Sequence, residues 1–124
     1  MSGERQVRVL LVEDDRAARH ACTLALRHLG FEVETAVDGA EALEVVELLE
    51  PDVILLDLIM PTMDGFTFMR LYDGDVPIVV TSGWTDFEDL PYEPYAKFIK
   101  PTGMSEIAPT LREAAKSRRE QENS

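Results

Sequence analysis

Four largely apolar runs, each closed by a residue able to do chemistry, constrain this chain more than any other feature. Residues 7–12, 53–56, 77–80 and 96–99 end in Glu13-Asp14-Asp15, in Asp57, in Thr81-Ser82-Gly83 and in Lys100-Pro101. Such runs are too short for helices, and they lack the strict alternation of a strand with one wet face, so they read as buried strands. Residues 31–35 alternate and read as a shorter strand. Between the strands, Ala18, Ala21, Cys22, Ala25 and Leu29 fall at helical spacing, as do Ala40, Leu43, Val46 and Leu49. Gly30 is placed to end the first helix, and Asp38-Gly39 to open the second. A short helix containing Phe66, Met69 and Leu71 follows the loop at residues 61–65, and a last helix spans about residues 105–117.

Strands alternating with helices imply right-handed crossovers and a parallel sheet covered on both faces, a doubly wound α/β architecture. The carboxyl ends of parallel strands share one edge, where open α/β sheets bind their ligands. Glu13, Asp14, Asp57, Thr81 and Lys100 would therefore meet in one place. Carboxylates crowded together either raise a pKa or recruit a cation, and an all-oxygen set suits magnesium better than zinc. Asp57 could then attack a phosphoryl group as a carboxylate nucleophile, with Lys100 offsetting charge on the phosphoryl oxygens and Thr81 donating a hydrogen bond.

The segments VLLVEDD, DLIMPTMDG, VVTSG and FIKP, in this order, resemble the receiver domains of two-component response regulators, over about residues 7–115. By that resemblance the sheet is five-stranded and flavodoxin-like with strand order 2-1-3-4-5, as in a single-domain chemotaxis regulator, and the Lys100-Pro101 bond is often cis. Asp57 becomes the phosphoacceptor, Glu13 and Asp14 the acidic pair, Thr81 the switch hydroxyl and Lys100 the phosphate-contacting lysine. The backbone carbonyl of Ile59 completes a magnesium shell. The implied function is a phosphorylation-dependent switch, charged by a sensor histidine kinase, a phosphotransfer protein or a small phosphodonor. It acts on a downstream protein that the sequence does not identify, and turns over no separate substrate.

The triple Glu13-Asp14-Asp15 permits two registers for the acidic pair. Glu13 and Asp14 are preferred because that choice suits Arg19 and the spacing to Asp57, and it leaves Asp15 to cap the first helix. Two departures from the family stand out. Lys97 occupies the position where a Tyr or Phe usually turns inward on activation. The segment from Ser82 to Ile99 is short and holds Pro91 and Pro94, so the family's helix four, between the fourth and fifth strands, should be short or irregular. Activation is therefore expected to be felt near Trp84 rather than through an aromatic on the fifth strand.

Composition narrows the rest. A length of 124 residues suits one receiver domain, with a core at about 7–117 and a polar tail at 118–124. Twelve basic against twenty-four acidic residues, a formal charge of −12, oppose direct contact with nucleic acid or an anionic membrane. No apolar stretch reaches the roughly 18 residues of a membrane span, and no secretory signal is visible, so a cytoplasmic location is expected. Cys22 has no second cysteine to pair with and is assigned to packing. His20 and His28 are assigned no role.

Two other functions compete. A phosphohydrolase of the haloacid-dehalogenase type also uses a strand-end aspartyl nucleophile, but it needs a second Asp where this chain has Ile59. A receiver-like module that binds partners without phosphorylation would keep the same residues. Phosphodonor labelling separates the three: many turnovers, one acyl phosphate, or none.

Overall fold

The computed structural model describes residues 5–60, 64–83, 87 and 89–122. The elements run β1 (Arg8–Val12), α1 (Arg16–His28), β2 (Glu32–Ala36), α2 (Gly39–Leu49), β3 (Val53–Asp57), α3 (Gly65–Leu71), β4 (Ile78–Ser82), β5 (Ala96–Ile99) and α4 (Met104–Glu122). The five strands form one parallel sheet in the order β2-β1-β3-β4-β5. This is the flavodoxin-like arrangement that the resemblance implied.

Successive strand residues point to opposite faces, so the apolar runs divide between two cores. Leu10, Val12, Ile54, Leu56, Ile78 and Val80 pack against Ala42, Val46, Phe68 and Met69 of α2 and α3. Val9, Leu11, Val53, Leu55 and Val79 pack against Leu26 of α1 and Ile107, Leu111 and Ala114 of α4. Every residue of β3 and β4 is buried, as central strands covered on both sides require.

Local signals set the helix ends. Asp15, Asp38 and Asp64 are N-caps whose side chains accept from the backbone N–H of Ala18, Glu41 and Thr67. Gly30, just past α1, has φ +99°, a conformation that favours glycine. The helical stripes are offset from the sequence pattern: Ala21 and Ala40 are exposed, while Thr23, Leu26 and Ala42 are buried. Thr23 tolerates burial because its hydroxyl donates to the Arg19 carbonyl at 2.7 Å.

One expectation is corrected. The last helix does not stop near residue 117 but continues to Glu122. Arg118 and Arg119 therefore belong to α4, where Arg118 reaches Asp75 at 3.4 Å and Arg119 reaches Asp52 at 2.7 Å. The connection from β4 to β5 is irregular over its described residues, as its prolines suggested. None of its described residues is helical, Pro94 is buried, and the Tyr95 N–H joins the sheet by donating to the Ile78 carbonyl. Trp84 lies outside the described residues.

Asp52 anchors the amino end of the sheet. Its buried Oδ2 accepts from the Arg8 N–H at 2.9 Å, Arg5 at 3.0 Å and Arg119 at 2.7 Å. Burial by itself would raise this carboxyl, but the Arg8 N–H and the two guanidiniums outweigh it and hold the group below its ordinary 3.8. A depressed folded value means that the stabilisation is complete above the ordinary value and is lost as pH falls through the folded one. Asp52→Asn should cost about 1–3 kcal/mol at pH 7, since charge-assisted bonds are lost while the arginines keep partial solvent access. Urea unfolding across pH 2–7 checks this, with the gap to wild type closing at the acid end. Equal stability at pH 7 would remove Asp52 from this role.

Candidate functional site

The sheet register brings the strand-end residues together. Val12 lies beside Leu56 and Asp57 beside Thr81, so Glu13, one residue past β1, reaches the same edge. Lys100 follows β5 directly, and its N–H donates to the Ser82 carbonyl at 2.7 Å. The Lys100-Pro101 bond is cis.

Lys100 Nζ lies 3.1 Å from Asp57 Oδ2 and 3.4 Å from Glu13 Oε1. Glu13, Asp14 and Asp57 each offer a carboxylate oxygen, and these atoms lie within 4.8 Å of one another. Asp57 is 7% exposed and Glu13 6%, so their charges are poorly hydrated. Asp57 Oδ1 accepts from the Ile59 N–H at 3.2 Å, and Glu13 Oε2 from the Asp15 N–H at 3.2 Å. Thr81 is buried and lines a cavity of about 430 Å³ with Asp57 and Lys100. On its apolar side this cavity meets Cys22 and Met104. Burial, then the charge of Glu13, pushes the Cys22 thiol up and away from reactivity.

Of the residues expected here, Glu13, Asp14, Asp57, Thr81 and Lys100 do converge. Ile59 sits two residues past Asp57 with an exposed side chain, its N–H already bonded to Asp57. Asp15 stays apart from the carboxylate trio, its Oδ2 accepting from the Ala18 N–H at 2.8 Å as the cap of α1. Lys97 does not enter the site. It is exposed, ion-paired with Glu93 at 2.7 Å and set 5.9 Å from the centre of the Phe87 ring. A lysine can hold this outward position because its ammonium finds a carboxylate there without leaving water.

Two supporting residues have roles that sequence reasoning missed. Arg19 Nη1 donates to the backbone carbonyls of Glu13 at 3.0 Å and Asp14 at 3.3 Å, fixing the acidic loop from the first turn of α1. Gly65 donates its N–H to the Leu58 carbonyl at 2.8 Å. A Cβ at Gly65 would fall 2.7 Å from Leu58 Cα and 2.9 Å from the Asp57 carbonyl oxygen. Only a bare backbone lets α3 approach the segment that carries Asp57 so closely. The Asp64-Gly65 pair was a visible signal, but a glycine in a sequence does not announce what it would touch.

The family follows from comparison as well as geometry. Residues 9–92 match the model of the response regulator receiver domain. The chain belongs to this family. Over 91 residues it is 44% identical to the transcriptional regulatory protein PrrA of Mycobacterium tuberculosis, covering 71% of this chain and 39% of that one. Over 85 residues it is 40% identical to the DNA-binding response regulator MtrA of Mycobacterium leprae, covering 67% and 38%. The chain thus spans about two fifths of the length of these relatives. Among solved structures it is similar to the chemotaxis response regulator CheY4 of Vibrio cholerae, at 29% identity and a TM-score of 0.75 over 88% of this chain and 98% of that one. The receiver domain of the Francisella response regulator 1452 superposes with a TM-score of 0.83 at 23% identity over 91% and 99%, a likeness of fold alone. Lys100 and Pro101 lie beyond the stretch matched by the family model.

The crowding leaves a thermodynamic mark. Burial, and then Asp57, raise Glu13 above its ordinary 4.5 despite the opposing pull of Lys100. Lys100 is itself raised: burial would lower it, but the charge of Asp57 and then that of Glu13 prevail. For a carboxyl raised on folding, the ionised form costs stability at neutral pH, and the cost fades as pH falls through the folded value towards the ordinary one. Glu13→Gln should therefore raise the thermal midpoint at pH 7 in EDTA, a gain that shrinks towards pH 4. A midpoint that falls instead would mean that the pair with Lys100 outweighs burial and repulsion.

Proposed function

We propose that this domain is a phosphorylation-dependent switch in which Asp57 is the phosphoacceptor. The observation that carries the reading is the pairing of Asp57 with Lys100 at 3.1 Å beside two further carboxylates. The donor set fits a hard divalent cation: three carboxylates with oxygens inside 4.8 Å and too little positive charge among their neighbours. Glu13, Asp14 and Asp57, with the Ile59 carbonyl, would hold magnesium. When bound, the ion offsets negative charge on the phosphoryl oxygens.

An Asp57 carboxylate oxygen forms the new bond to phosphorus, while the bond from phosphorus to the donor breaks and the donor leaves with the electron pair. The donor is a phosphohistidine of a sensor kinase or phosphotransfer protein, or a small acyl phosphate. Lys100 passes from the carboxylate to a phosphoryl oxygen, keeping its charge throughout. Thr81, beside Asp57 on the neighbouring strand, donates its hydroxyl to another. The buried setting shields the acyl phosphate from water, and its slow hydrolysis resets the switch without turnover of a separate substrate. The change is read by a partner protein, and no direct contact with nucleic acid or membrane is proposed for this acidic domain. We place it in the cytoplasm, as one receiver domain.

Asp57→Asn should abolish the single phosphoryl mass gained in acetyl phosphate and magnesium, read by intact-mass spectrometry. A wild-type protein that gains none is a phosphate-independent module; a variant that still gains one puts the acceptor elsewhere. Magnesium titration tests the acidic register. Asp14→Ala should weaken binding more than Asp15→Ala, by about tenfold for a lost carboxylate ligand. A larger loss at Asp15 would move the pair along by one residue.

A further inference from the structure

We propose that the amino end of the sheet, opposite Asp57, carries an anion site for an oligophosphate. The site is a groove of about 680 Å³ between α4 and the turn that follows α1. Arg5, Arg112, Lys116 and Arg119 line it, a third of the basic residues of a chain whose formal charge is −12. Glu120 is the one carboxylate lining it among the described residues.

The cations are not cancelled locally. Arg5 and Arg119 share the same oxygen of Asp52, so one carboxylate answers two guanidiniums. Among the described residues, Asp52 and Glu120 stand against these four positive groups, which leaves an excess of two. Arg8 and Arg118, outside the groove, each have a carboxylate of their own, Glu32 at 3.2 Å and Asp75 at 3.4 Å. A local excess of cations on an acidic protein concentrates field where an anion gains most.

The groove is also partly preorganised. The Arg112 guanidinium lies 4.5 Å from the centre of the Phe31 ring and donates to the Leu29 carbonyl, so its plane is held before any ligand arrives. Arg5 and Arg119 are held by Asp52, whose carboxylate takes only some of their N–H groups. Remaining guanidinium donors match phosphate oxygens in pairs, and Lys116 adds a mobile point charge. Two excess charges favour a ligand with at least two negative ones. The volume falls within the range of small-molecule sites and exceeds what a single phosphate fills, which points to linked phosphates, free or carried on a nucleotide. The site lies away from the acidic edge and is independent of the phosphoacceptor reading.

Isothermal titration of the full chain at low ionic strength, with EDTA present, tests the proposal with two probes, tripolyphosphate and ATP. Wild type should bind tripolyphosphate saturably at one site, more weakly as sodium chloride is added. Arg112→Gln and Lys116→Gln should each weaken binding about threefold, and together about tenfold. Lys100→Gln should leave it unchanged. Equal affinity for the two probes assigns the free chain of phosphates, and tighter ATP assigns a nucleotide. Lys116 is exposed, so its variant remains a test even if replacing Arg112 beside Phe31 disturbs folding. No saturable binding of either probe would overturn the proposal. So would binding that survives the double variant, or capture of polyglutamate alone, which would make the groove a docking surface for acidic peptide.

Discussion

The ammonium of Lys100, 3.1 Å from Asp57 and 3.4 Å from Glu13, is among the described residues the one side-chain cation shared by these buried acids. Two like charges about 4 Å apart repel by roughly 4 kcal/mol at an effective dielectric near 20. One cation cannot offset three carboxylates, and the Glu13 carboxyl is raised, by burial first and by the charge of Asp57 second. Backbone N–H groups of Asp15 and Ile59 supply part of the remainder. Arg19 stabilises the arrangement in another way, binding carbonyls of the acidic loop so that its shape persists despite the repulsion. The negative charge left uncompensated is what the proposed cation would relieve.

The two ends of β3 show opposite solutions to the same problem. Asp52, just before the strand, is buried but over-supplied with donors, and its carboxyl is held low. At the other end, Asp57 enters a crowd of acids that has too few cations. The first arrangement ties the N-terminal segment and α4 to the sheet. The second holds charge in tension beside a rigid strand, where a ligand that relieves the repulsion gains the most. The two lie at opposite ends of one buried strand.

The connection from β4 to β5 holds the departures from the family that the sequence suggested. Its described residues form no helix, and Lys97 stands outside, tied to Glu93 and near Phe87. An ammonium cannot take the inward path of a Tyr or Phe ring without a buried carboxylate to meet it.

Much of the fold was legible because buried parallel strands must be apolar on both faces, and residues 53–56 and 77–80 could hardly be anything else. The candidate site was legible for a related reason: polar residues directly after such strands have only one edge to occupy. Helix faces were less so, since Ala21 and Ala40 count as apolar but are small enough to sit in water at little cost. The extent of α4 was hidden because Arg118 and Arg119 look like a solvated tail until Asp75 and Asp52 come near them. By itself, then, the sequence determined the strand order of chemistry along the chain, the capping aspartates and the identity of the acids and lysine at one edge. Only the tertiary structure decided how far that lysine is shared, what Gly65 must make room for, and where the surplus of arginines gathers. Those are distances between residues remote in the chain, and they exist only once burial of the sheet has brought its two ends and its covering helices into register.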